Sequence, residues 1–101
     1  MPRTIKIAPE SVLLELLRSA RERSGVTQVQ LAERTGMRQT DISKSERGVR
    51  RLDVIELHEW LAALGVSFVV FAQELDERLT TMALLKAQQS RGVRRRTRKP
   101  D

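Results

Sequence analysis

Apolar residues recur at helical spacing in five successive stretches of this chain. Val12, Leu13, Leu16, Leu17 and Ala20 form the first, opened by Pro9, which suits a first helical position, and closed by Gly25. The second and third are short and flank Gly36. Thr27 and Gln30 have the spacing of a capping box, Leu31 faces inward, and Ala32 is small where another helix must cross closely. Gly36 supplies the positive φ that ends one helix and opens a tight turn. Met37 and Ile42 then stand as the N′ and N4 residues of a hydrophobic staple do when Arg38 is the N-cap. Asp41 falls at N3, where the helix dipole favours a carboxylate. In the fourth stretch Val54, Leu57, Trp60, Leu61 and Leu64 follow an Asp53/Glu56 capping pair and a Leu52/Leu57 staple, and Gly65 closes it. The fifth runs from a Ser67 cap through Phe68, Phe71, Ala72, Leu75, Leu79, Met82 and Leu85. Phe68-Val69-Val70-Phe71 also fits a buried, dimer-forming strand, but sustained helical periodicity favours a helix.

The pattern predicts an all-α fold, a compact four- to five-helix bundle containing a helix-turn-helix. An N-terminal arm covers residues 1–8, the helix-turn-helix domain 9–66, a dimerisation helix 67–89 and a basic disordered tail 90–101. The fifth apolar stripe is longer than a bundle of this size covers by itself. Phe68, Phe71, Leu75, Leu79 and Met82 are therefore expected to form a homodimer interface.

If Met37 and Ile42 face inward, with part of Ser45 and Glu46, then Gln39, Thr40, Ser43, Lys44 and Arg47 remain on the outer face of the second short helix. Such side chains read base edges and phosphates, which makes double-stranded DNA the expected partner. Gln39, Thr40, Ser43 and Lys44 are the candidate base readers. Thr27, Gln28, Arg38, Arg47, Arg50 and Arg51 are the candidate phosphate contacts. An ordinary αα-hairpin with a solvated polar face is the alternative reading, and a solvated loop is the alternative for Arg50 and Arg51.

Charge sharpens this picture. The chain of 101 residues carries a formal net charge of +6, but unevenly. Residues 1–51 hold eleven Lys/Arg against six Asp/Glu, 52–85 one against six, and 86–101 seven against one. Basic charge thus belongs to the reading half and the tail, as expected when one face approaches phosphate. The tail reads as an electrostatic arm for DNA phosphates, or else as a solubilising extension.

Cysteine is absent, so no disulfide framework or thiolate zinc site is expected. The sole histidine, His58, lacks companions at ligand spacing, and no nucleophile elbow, phosphate loop or carboxylate pair is present. The chain is accordingly expected to be no enzyme, to carry no metal or cofactor, and, with no apolar run long enough to span a membrane, to be cytoplasmic.

Residues 17–64 resemble the helix-turn-helix domain of the XRE family, which includes the phage lambda-type repressors and Cro. The likeness lies in Arg21, Gly25, Thr27-Gln28, Leu31-Ala32, Gly36, Gln39, Ile42-Ser43, Glu46, Gly48 and Ala63-Leu64-Gly65-Val66. It implies that the third helix enters the major groove, usually in a homodimer on a palindromic operator. It further implies that Gln28 sits on a phosphate beside Gln39, that Gln39, Thr40 and Lys44 read bases, and that Arg21 pairs with Glu46. Two positions depart from the family. Ser45 stands where relatives often have a larger apolar residue, which predicts looser packing beneath the recognition helix. Arg38 stands at an N-cap that a short acceptor would suit better, a trade of capping for a phosphate contact.

The function so expected is that of a transcriptional regulator, a repressor acting by operator occupancy. The rival is an antitoxin that neutralises a protein toxin and autorepresses its operon; restriction–modification controllers and Cro-like proteins share the same domain.

Overall fold

The computed structural model describes residues 8–97, with side chains from 8 to 88. The arm expected at 1–8 lies outside the described residues apart from Ala8, as do residues 98–101 and the side chains of the basic tail. Five helices follow one another: α1 (Pro9–Arg23), α2 (Gln28–Thr35), α3 (Gln39–Glu46), α4 (Val54–Leu64) and α5 (Phe68–Thr97).

Local chemistry accounts for most of the boundaries. Thr27 and Gln30 exchange both capping-box hydrogen bonds, as do Asp53 and Glu56, so α2 and α4 start where their end groups are satisfied. Gly36, at φ +81°, turns α2 into α3. Ser67 Oγ accepts from the Val70 N–H and caps α5, which settles the 67–72 segment as helix.

Leu17, Leu31, Ile42, Trp60 and Leu61 are fully buried at the centre, joined by Val12, Leu16, Val26, Ala32 and Leu64. Trp60 fills volume, and its indole N–H has no hydrogen-bond partner there. Arg34 donates to the Ala63 carbonyl and ties α2 to the end of α4.

The role expected for α5 needs correction. Phe71 is only 3% exposed, inside the protomer's own core, and Phe68, Leu75, Leu79 and Met82 pack partly buried against that core. The stripe is covered because α5 runs back antiparallel along α1. Phe71 lies near Leu16 and Ala20, Met82 lies near Val12, and Arg78 reaches Glu15 at 3.8 Å. Phe71 is thereby used up within the protomer, while Phe68, Leu75, Leu79 and Met82 keep part of their surface exposed. The large apolar residues that stand most in solvent are Val29 on α2, Val49 in the loop after α3, Val54 and Ile55 on α4, and Val69, Val70, Leu84 and Leu85 on α5. The backbone is also helical to Thr97, where a disordered tail was expected from residue 90. Arginine is a good helix former, and no proline intervenes before position 100.

Candidate nucleic-acid interface

The second half of the helix-turn-helix, α3, is anchored by its inner face. Ile42 and Ser45 are buried, and Glu46, 3% exposed, takes an ion pair from α1. Arg21 donates through Nε to Glu46 Oε2 at 2.6 Å and through a terminal nitrogen to Oε1 at 3.0 Å, while its other terminal nitrogen holds the Val26 carbonyl at 3.0 Å. One guanidinium thus fixes the end of the recognition helix and the loop leading into α2. The hydrogen bonds to Glu46 raise the Arg21 pKa above its ordinary value, against the smaller opposing effect of burial.

On the outer face, Gln39, Thr40 and Lys44 are exposed and Ser43 is half-buried. Arg38 is the N-cap of α3 and makes no side-chain cap bond; it lies 3.5 Å from Asp41 with its guanidinium in solvent. No side-chain cap therefore covers the amide-rich end of α3, and that end favours negative charge. Arg47 bonds only weakly, at 3.4 Å, to the Ser43 carbonyl.

Gln28, at the start of α2, faces inward more than a phosphate contact requires. Its Nε2 donates to Glu46 Oε1 at 3.0 Å, and its Oε1 accepts from Gln39 Nε2 at 2.9 Å. Thr27 likewise spends its hydroxyl oxygen on the Gln30 amide. Sequence reasoning treats Arg21–Glu46 and Gln28–Gln39 as two pairs, whereas the structure joins them. The spacing carried half of the signal, since Gln39 and Glu46 stand seven apart and share one side of α3, but it does not place Gln28 of α2 between them.

Arg50, expected to clamp phosphate, is instead engaged with Glu56, at 2.8 Å and 3.4 Å. Glu56 serves this pair and its capping box together. Hydrogen bonding from Arg50, then from the Asp53 amide, lowers the Glu56 pKa, and the same pair raises that of Arg50. Arg51 is the exposed cation of the loop, its guanidinium without a partner among the described residues. Beneath the recognition helix a groove of about 300 Å³ opens between Leu13, Leu14, Leu17, Ser45, Gly48 and Leu52. Ser45 itself is buried, at 1% exposure, on the wall of that groove.

A short helix tied down by its inner face, bare at its N-terminal turn, with amide, hydroxyl and ammonium groups outward, defines a helix-turn-helix DNA-binding protein. A family profile described as helix-turn-helix matches residues 17–71. The chain belongs to that family, the XRE-type helix-turn-helix transcriptional regulators. It is 42% identical over 57 residues, 56% of this chain and 74% of the relative, to an uncharacterised HTH-type transcriptional regulator, y4dJ, of Sinorhizobium fredii. Among solved structures it is similar to an XRE-family like protein from Pseudomonas syringae pv. tomato, at TM-score 0.67 and 38% identity, covering 70% of this chain and 89% of that one. It is also similar to the restriction–modification controller protein C.Esp1396I, at TM-score 0.66 and 29% identity, covering 74% and 99% of the two chains. That controller has been solved as a tetramer in complex with its natural 35 base-pair operator, a structure matched at TM-score 0.64 and 30% identity, over 71% of this chain and 95% of that one.

Proposed function

We propose that this regulator is a repressor that binds a palindromic operator as a homodimer, with α3 of each protomer in the major groove. The observation that carries the reading is the outer face of α3: Gln39, Thr40 and Lys44 are exposed on a helix whose N-terminus has no side-chain cap, with Arg38 at that end and Arg47 and Arg51 at and beyond the other. Gln39, Thr40, Ser43 and Lys44 meet base edges, and the arginines meet phosphates. The dimer contact is formed by solvent-facing apolar side chains, Ile55 near the start of α4 and Val69 near the start of α5, which are 67% and 64% exposed. Ile55 lies one turn before His58, whose ring sits 5.5 Å from that of Phe68. A helix-turn-helix dimer meets half-sites about one DNA turn, ~34 Å, apart, and the operator should show that spacing. Repression follows from occupancy in the cytoplasm, with neither catalysis nor cofactor. The DNA-bound assembly of the controller protein similar to this chain supports the oligomeric part of the reading.

Selection of bound fragments from a random DNA pool yields the operator, which should be an inverted repeat. On single-base variants of it, Gln39→Ala and Lys44→Ala should each cost about 1–3 kcal/mol and relax the preference at one base pair. Arg51→Ala should weaken all sequences alike. Ile55→Glu should leave a folded monomer in sedimentation. Equal, flat losses from Gln39→Ala and Arg51→Ala contradict base reading by α3, and a monomeric wild-type protein at tens of micromolar contradicts the dimer.

A further inference from the structure

We propose that buried Glu46, acting through Gln28, sets the direction of a hydrogen-bond relay and thereby determines which base Gln39 reads. The proposal rests on α3 being the base-contacting helix. A carboxylate gripped by a guanidinium offers only acceptors. Gln28 must therefore turn its NH2 group toward Glu46, at 3.0 Å, which leaves Gln28 Oε1 on the far side. That oxygen can only accept, so Gln39 turns its own NH2 group toward it, at 2.9 Å. Each amide takes its orientation from the group behind it, and Arg21 secures the origin with two bonds to Glu46. The anchor lies at the buried end, because hydrogen bonds to an ionised acceptor are about twice as strong as neutral ones.

What remains at the tip of Gln39 is Oε1 and one N–H. Adenine presents an N6 donor and an N7 acceptor in the major groove, and this tip is complementary to that pair. With the relay reversed, Gln39 Oε1 would be held by the Gln28 amino group and two N–H donors would face the DNA. That arrangement suits the O6 and N7 acceptors of guanine. Glu46 is thus a positioning residue for specificity, although it lies at the far end of α3 from Gln39.

The test uses the full chain, the selected operator and its single-base variants, with thermal melting as the check on folding. Gln39→Ala first identifies the base pair that Gln39 faces, where the wild-type protein should prefer adenine. Glu46→Gln leaves one oxygen for the two donors of Arg21; the shorter bond, from Nε at 2.6 Å, holds it at the Oε2 position, so the NH2 group takes the Oε1 position, where it displaces the longer Arg21 bond, faces Gln28 and turns the relay round. At that base pair the advantage of adenine should fall about tenfold or more and pass to guanine. Arg21→Lys keeps the carboxylate and should lower the melting temperature without moving the preference, a separation that a purely structural role for Glu46 does not give. Gln28→Met cuts the relay while leaving the buried pair in place. It should relax the adenine preference about tenfold, and it decides the question if Glu46→Gln does not fold. A preference unchanged in Gln28→Met, or in folded Glu46→Gln, overturns the proposal and leaves base reading by α3 intact. So does a wild-type preference for another base there. A flat loss in Gln39→Ala overturns base reading itself.

Discussion

Arg38 shows how a single side chain is divided between stability and binding. An N-cap with no acceptor leaves the first amides of α3 unserved, whereas Ser at this position normally contributes about 0.5–2 kcal/mol. Arg38→Ser should therefore raise the melting temperature and weaken DNA binding uniformly, as melting curves and salt titrations would show. Glu56 makes a second prediction, through pH. Its folded-state pKa is lowered, mainly by Arg50, so its contribution is present above the unfolded value near 4.5 and is lost as pH falls through the folded value. Stability should decline with acid across that window. Glu56→Gln can still cap α4 but loses the charge, so it should start lower at neutral pH and decline less. Equal slopes in the two proteins would count against the pair. Gly36 and the capping residues were legible because such signals are local. Arg50 was not, because its partner is chosen by how the loop folds onto α4.

Among the helices, α1 and α5 decide more than their sequences announce. Amphipathic periodicity identified both, but periodicity does not say which helix covers which. The stripe on α5 reads as surplus until α1 is laid antiparallel along it, a tertiary fact absent from either segment alone. The consequence is testable: Phe71→Ala, in the core, should cost about 3–5 kcal/mol and act by unfolding. A folded monomer of near wild-type stability would restore Phe71 to an interface. The relay between α2 and α3 was hidden for a similar reason. The resemblance supplied Arg21–Glu46 and Gln28–Gln39 separately, and only the crossing of the two helices brings Gln28 between Glu46 and Gln39.

At the scale of the whole molecule, charge is segregated along the chain. The acidic segment 52–85 spans α4 and the packed half of α5, between the cationic reading half and the basic C-terminal segment. Removing residues 91–101 deletes six cationic side chains, and each one on a phosphate adds about 0.9 to the magnitude of the log–log salt slope. Operator and random DNA should then weaken together, with their affinity ratio nearly preserved. A salt slope identical to that of the full chain would show that the segment does not touch DNA.

Trp60 gives the protein an optical channel of its own. It is the sole tryptophan and is fully buried, and its indole N–H has no protein acceptor among the described residues. Its emission should therefore be blue-shifted in the native state and move to the red when the core opens. None of the groups on the outer face of α3 lies in that core, so a saturating operator duplex should leave the emission maximum in place. Fluorescence then follows folding without interference from binding, and a variant that weakens DNA affinity can be assigned to the reading face or to the core from one spectrum.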